Sequence, residues 1–442
     1  KMRFLKILNL FFFTCLVIIS CSKDPETIVE TVTVTETVTV TDTVTETVTV
    51  EADPYADSTL EGKISSDKAL SADKVWLLKG RVIVESGATL TIPAGTVIKA
   101  EPGSGADAST LIIARGGKID AKGTAAKPII MTSKSDNIKA DGTYPTSGKS
   151  LTVDARGLWG GLLVLGKAPS SFKGDVTELQ IEGIPVTEAA GLYGGSDAAD
   201  DSGVMQYMSI RHGGAEIGEG NEINGLTLGG VGNKTVIDHI EVVANVDDGI
   251  EFFGGTVNAS NLMVYGQGDD ALDIDQAYSG TVDNAMVVLT AASDHGLEID
   301  GPEGSLAGSF TVKNVTIKGA SKSGAALGVN GEIADFRKAA TGSLSNIYAF
   351  DFVASKDVEL DADADSASYT AGTLTFANWD IQYAGTATTL DKTFVDKSTV
   401  GSTFSADAST FAEIVTAKKA DAGATDSEYE WTYWFANQGE HL

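Results

Sequence analysis

Val246-Asp-Asp-Gly-Ile-Glu-Phe-Phe-Gly-Gly255 and Gly268-Asp-Asp-Ala-Leu-Asp-Ile-Asp275 are two copies of one short unit. The unit occurs again as Asn224-Gly-Leu-Thr-Leu228 and His295-Gly-Leu-Glu-Ile299, so that Asn224, Asp248, Asp270 and His295 follow one another at intervals of 24, 22 and 25 residues. Each copy opens with a polar turn residue and a small residue. Apolar and polar positions then alternate, which is the period of a strand with one buried face. A repeat of this length is one coil of a solenoid, in which equivalent strands of successive coils stack in parallel. The chain therefore reads as all-β, a single-stranded right-handed parallel β-helix.

A second series extends the first. Asn261, Asn284, Asn314, Asn346 and Asn378 each precede an apolar-x-apolar strand, as in Asn314-Val-Thr-Ile317, at intervals of 23, 30, 32 and 32. Asn tolerates a left-handed bend and can hydrogen-bond to the Asn of the next coil, so the series predicts a structural ladder of stacked, buried bends. The longer intervals predict loops inserted between strands.

The coils are expected over residues 68–404, with Gly87, Gly95 and Gly116 at early corners. Residues 169–202, rich in Gly, Asp and Ser, interrupt the pattern and read as a loop excursion. Residues 405–442, with a short helix expected at Phe411 to Lys419 and an aromatic cluster of Trp431, Tyr433, Trp434 and Phe435, read as a cap on the last coil's open edge.

Residues 1–20 have the form of a lipoprotein signal peptide: Lys1, Arg3 and Lys6, an apolar run from Leu8 to Ile19, then Ser20 before Cys21. Cys21 is the expected lipidation site, which makes the membrane a partner through a lipid anchor. The other cysteine, Cys15, lies inside the signal, so the mature chain has no disulfide. Loss of the three positive charges of the signal takes the formal net charge from −29 to −32, which disfavours nucleic acid and anionic surfaces as partners. Residues 21–67 include a stretch, 31–50, with Thr at every odd position and Val, Glu or Asp at the even ones. Strict period two with so many β-branched residues favours an extended chain, and the segment is expected to be a stalk or linker.

Alternation sets where the acids point. With Ile250, Leu272 and Leu297 facing in, Glu251, Asp273 and Glu298 face out, one above another, and Asp275 and Asp300 extend the acidic face. Carboxylates about 5 Å apart repel by a few tenths of a kcal/mol to a few kcal/mol, depending on the dielectric, and a cation or a bound proton relieves them. Oxygen-rich clusters on rigid turns suit Ca²⁺ rather than zinc or iron, for which the chain offers four His and no free thiol. Ordinary solvated acids on an acidic protein are the alternative.

Several segments resemble known families. Ser22-Lys-Asp-Pro-Glu26 is similar to the surface-export tag of Bacteroidota lipoproteins, which implies an outer membrane lipoprotein facing the cell exterior. Asp42-Thr43-Val44 and Asp57-Ser58-Thr59 resemble the O-glycosylation site of that group. Val246-Asp-Asp-Gly249, Gly268-Asp-Asp270 and Ser293-Asp-His-Gly296 resemble motifs of polygalacturonase-type glycoside hydrolases. That resemblance implies Asp248, Asp269 and Asp270 as catalytic carboxylates and His295 as their support. The Arg-Ile-Lys motif that grips the acidic sugar in those enzymes, due near Ala326 to Gly328, is absent. Pectate lyases pair acid-bound calcium with a basic residue, and no base is expected in register on this face. Over nearly all of the mature length, the chain resembles a Bacteroidota family of β-helical surface lipoproteins, through Asp247 to Asn258 and Gly268 to Asp275.

These features predict a lipid-anchored, cell-surface β-helix acting as a binding or structural module for carbohydrate or a surface protein, with calcium as the cofactor its acids suit. The alternative is a polysaccharide hydrolase using Asp248, Asp269 and Asp270.

Overall fold

The computed structural model describes residues 30–35, 45–50, 53–140, 150–216, 223–320 and 332–437. Two compact units are distinguished, residues 1–57 and residues 58–442. In the first, Glu30–Thr35 pairs antiparallel with Thr45–Val50, from Glu30 opposite Val50 to Thr35 opposite Thr45. The Thr/Val alternation thus forms strands, as the β-branching predicts, but two that satisfy each other's backbone groups rather than one continuous extended run. The signal segment, Cys21 and Asp42-Thr43-Val44 lie outside the described residues. The second resemblance to a glycosylation site meets a steric objection, because Ser58 is buried where the first coil begins.

The second unit is a parallel solenoid. Its coils begin at Thr59–Ile64, ahead of residue 68, because Thr59 to Glu61 already pair in parallel with Leu77 to Lys79. One stack holds the short strands of the repeating unit: Leu226–Gly229 on Ile250–Phe253, on Leu272–Asp275, on His295–Asp300, on Glu332–Arg337, on Val358–Leu360. The alternation holds: Ile250, Phe252, Leu272, Ile274, Leu297 and Ile299 all lie in one continuous buried core. The glycine of three of these units has a packing reason, since a Cβ at Gly225, Gly249 or Gly296 would collide with the Val242, Val264 or Ile317 side chain of the neighbouring stack.

The other stack holds the long strands, among them Val236–Val243, Asn258–Tyr265, Thr281–Val288, Phe310–Lys318, Gly342–Phe352 and Leu374–Tyr383. Each contains a left-handed residue, and Gly342–Phe352 a second at Asp351. In the five strands after Val236–Val243 it is the predicted ladder, with φ of 55° at Asn261, 63° at Asn284, 59° at Asn314, 55° at Asn346 and 55° at Asn378. Asn284 donates to Asn261 Oδ1 at 2.6 Å and Asn346 to Asn314 Oδ1 at 2.8 Å. Asn314 departs from the pattern and donates to Asp283 Oδ1 at 2.6 Å. The bends are half-buried rather than buried, and Asn378 is exposed. Tyr207 and His239 continue the ladder upward in the same left-handed conformation, their rings stacked at 4.1 Å. Replacing Asn284 by Leu should cost about 1–3 kcal/mol, since it removes the side-chain bonds to Asn261 and to Thr425 N–H and puts a branched side chain in the left-handed region. A denaturant midpoint unchanged by Asn284→Leu would refute the ladder's structural role.

The C-terminal end differs from expectation in two ways. The helix spans Phe404–Phe411, and the chain beyond it enters a strand, Ala412–Ile414, paired with Trp379 to Ile381. Phe404, with Tyr369, Phe376, Phe394 and Phe411 around it, plugs the open core. The aromatic cluster instead belongs to a strap that runs back along the long-strand stack. Gly423 N–H donates to Asn346, Ala424 N–H to Thr316, Thr425 N–H to Asn284 and Trp434 N–H to Glu241, so the strap crosses successive coils. Beneath it lies Arg211, an outward strand residue that stacks on Tyr433, beside the corner residue His212.

Candidate functional site: an acidic ladder

Parallel register places Thr227, Glu251, Asp273, Glu298, Asp335 and Glu359 in one outward column. The acidic column is therefore five residues long rather than three. Asp335 and Glu359 escape the sequence pattern because the inserted loop stretches the next interval to 37 residues and puts Ala334 at an inward position usually taken by Leu or Ile. Beside it runs the column of turn residues Asn224, Asp248, Asp270, His295 and Glu332.

These turn acids stitch the coils. Asp248 Oδ1 accepts Asp270 N–H at 3.0 Å, and Asp270 Oδ1 accepts His295 N–H at 2.8 Å. Most of the outward acids are buried, Asp273 and Asp275 being half-buried. Glu251 is 5% and Glu298 8% exposed, and Asp248 and Asp270 are similarly buried. Part of the cover comes from the excursion, whose Phe172, Ile181, Ile184 and Tyr193 pack on Leu165 and Phe253. The Tyr193 hydroxyl donates to Gln276 at 2.8 Å.

Counter-ions divide the ladder in two. In its lower part, Arg337 grips Asp300 through Nε at 2.7 Å and also reaches Glu298, Lys338 meets Asp300 at 2.5 Å, and Lys397 pairs with Glu359. His295 Nδ1 lies 2.8 Å from Asp270. Burial pulls the His295 pKa down, but the hydrogen bond to Asp270 and the surrounding carboxylates outweigh it and push the value up to about 9, so the ring is cationic at neutral pH. In the upper part, one carboxylate oxygen each of Asp248, Glu251 and Asp273 lie within 4.8 Å of one another. Among the described residues none of these three is in a salt bridge. Burial, then Asp273 and its other acidic neighbours, lift Asp248 well above the usual carboxylate range. Glu251 is lifted by burial and then by Asp273, and Asp273 by burial and then by Asp275. One Asp273 oxygen and the Asn224 amide oxygen are buried without a hydrogen-bond partner, while the other end of the Asn224 amide touches Glu251.

The oxygen set expected for a cation is thus redistributed. Glu251 and Asp273 are joined by Asp248, whereas Glu298 and Asp300 are taken up by Arg337, Lys338 and His295. Asp275 sits between the groups, lifted to about 6 by burial and then by Asp300. The expectation of no base in register on this face is overturned: Arg337 stacks directly on Asp300. It lies well past the position where the Arg-Ile-Lys alignment pointed, and that position falls outside the described residues.

The hydrolase-type residues do gather. An oxygen of Asp248 and one of Asp269 lie within 4.8 Å. Their environments differ, however. Asp269 is exposed, its pKa lifted to about 6 by partial burial and by Asp270 and Asp294, whereas Asp248 and Asp270 are buried and occupied in coil stitching. Among the described residues, the aromatic side chains packed by this face, Tyr193 and Phe253, are buried and offer no sugar platform.

Coil, register and ladder define a parallel β-helix with an outward acidic face. The chain belongs to the pectate-lyase-like β-helix domain family, which matches residues 62–436. No curated protein matches it. The catalytic unit of the thermostable GH87 alpha-1,3-glucanase from Streptomyces thermodiastaticus strain HF3-3 is similar at 12% identity over 73% of this chain, with a TM-score of 0.25, too slight to bear on activity. This chain spans 57% of that one.

Proposed function

We propose that this protein is a β-helical binding module, displayed from the outer membrane by a lipid on Cys21, whose upper acidic ladder is held by calcium and whose surface contacts carbohydrate. The observation that carries the cation is the uneven placing of counter-ions: Asp270, Glu298, Asp300 and Glu359 are paired with His295, Arg337, Lys338 or Lys397, while Asp248, Glu251 and Asp273 converge with no salt bridge among the described residues. Their spacing suits a hard ion coordinated at about 2.3–2.6 Å by several oxygens. Rotation of the Asn224 amide would add a neutral oxygen to the same set. The carbohydrate part is supported by the family, whose description names a lyase of a polysaccharide.

A second reading, a hydrolase acting through Asp248, Asp269 and Asp270, is favoured by the approach of Asp248 to Asp269. Incubation with a polysaccharide panel that includes polygalacturonate separates the two. The module reading expects glycan binding without new reducing ends, and an Asp269→Asn variant that binds as the wild type does. Release of reducing ends that Asp269→Asn abolishes would replace it with the hydrolase.

A further inference from the structure

We propose that the sugar contact is made away from the acidic face, in an aromatic cleft between the long-strand stack and the C-terminal strap, and that it takes a neutral pyranose. This rests on the carbohydrate-binding reading above. The cleft holds about 310 Å³, at the small end of the range of ligand sites. One part of its wall is the pair Tyr348 and Phe350, with ring centroids 5.1 Å apart and planes at 11°. The Tyr348 hydroxyl donates to Gln382 Oε1 at 2.6 Å, which fixes the ring. The strap supplies Trp434 and Phe435.

Phe435 is the informative residue. Trp431 and Tyr433, its neighbours in the strap, are buried and serve packing, whereas Phe435 is 41% exposed in the lining of the cleft. Tyr348 is buried, and the Lys318 and Lys418 ammonium groups lie 5.7 Å from the Phe350 ring and 5.8 Å from the Tyr348 ring, so the face offered to the C–H face of a sugar ring is that of Phe435, with half-buried Phe350 at its edge. The polar groups at the cleft select among sugars. Lys318 pairs with Asp351 at 3.1 Å and Lys418 with Asp426 at 2.6 Å. The lysines are therefore already neutralised: they offer donors and their partners acceptors to hydroxyl groups, but no unpaired cation to a uronate. A protein of formal net charge −29 adds a general penalty against acidic polymers.

The test is quantitative binding of neutral β-glucan, mannan and xylan oligosaccharides, with oligogalacturonate as the charged probe, by wild type, Phe435→Ala, Phe350→Ala and, on the acidic column, Glu359→Gln, each checked for an unchanged fold by thermal melting. Phe435 is exposed enough that its removal leaves the fold intact. The expected result is binding of at least one neutral probe, quench of Trp434 fluorescence, and affinity reduced by about tenfold or more in Phe435→Ala and Phe350→Ala but kept in Glu359→Gln. Neutral-sugar binding that both cleft variants retain would overturn this inference and leave the carbohydrate reading standing. Binding of oligogalacturonate alone would overturn it in favour of the acidic face, and binding of no glycan would remove the carbohydrate reading and this inference together.

Discussion

Phe404→Ala should destabilise the solenoid by about 3–5 kcal/mol, the cost of emptying a site for a fully buried aromatic ring. The terminal coil of a solenoid has no neighbour on one side, so whatever covers its core carries a disproportionate share of the stability there. Phe404 is that cover. Its ring lies 5.1 Å from Tyr369, 5.0 Å from Phe376, 5.8 Å from Phe394 and 5.8 Å from Phe411, and it is fully buried. Because coils are coupled mainly to their neighbours, amide exchange in Phe404→Ala should rise first at Leu374–Tyr383 and Phe394–Asp396, before the upper coils. A loss of less than about 1 kcal/mol, with uniform exchange, would show that the end is closed by something else.

Calcium in the millimolar range should raise the melting temperature at neutral pH, and Asp273→Asn should remove most of the rise. Calcium at a hundred times its dissociation constant stabilises the folded state by about 2.7 kcal/mol. The pH dependence follows from the direction of the shifts. Asp248, Glu251 and Asp273 titrate above the usual carboxylate range in the folded chain. The folded state therefore holds protons that the unfolded state releases. That stabilisation is complete below about pH 4, the unfolded carboxylate value, and is lost as pH rises through the raised folded values. Calcium must displace those protons, so its effect should grow from pH 5 to pH 8. A melting temperature that calcium leaves unmoved at pH 8 would count against the site.

The period of the coils and the inward alternation were legible in the sequence because both rest on spacing alone. Ile250, Leu272 and Leu297 could be placed from one rule, and the bends at Asn261, Asn284, Asn314, Asn346 and Asn378 followed because Asn is among the few side chains that accept a left-handed backbone. Tyr207 and His239 adopt the same conformation without that signature. They stack on each other, with His239 also meeting Asp238 and Glu428 and Tyr207 packing on Trp431, contacts that no residue type announces. Asp335, Arg337 and Glu359 were hidden by the inserted loop, which breaks the interval that would have aligned them. The burial of the acids was equally hidden, since it depends on the excursion folding back through Tyr193 and Phe172. The C-terminal aromatics read as a cap from composition, but the neighbouring Phe404 and Phe411 fill that place, and Trp431 and Tyr433 lie along the strap.

Calorimetric titration of calcium into the mature chain at neutral pH tests the cation site most directly. The account predicts one saturable equivalent accompanied by proton release, abolished in Glu251→Gln and retained in Glu359→Gln, whose carboxylate already has Lys397 as its partner. No heat of binding in the wild type, or an equal loss in both variants, would contradict it.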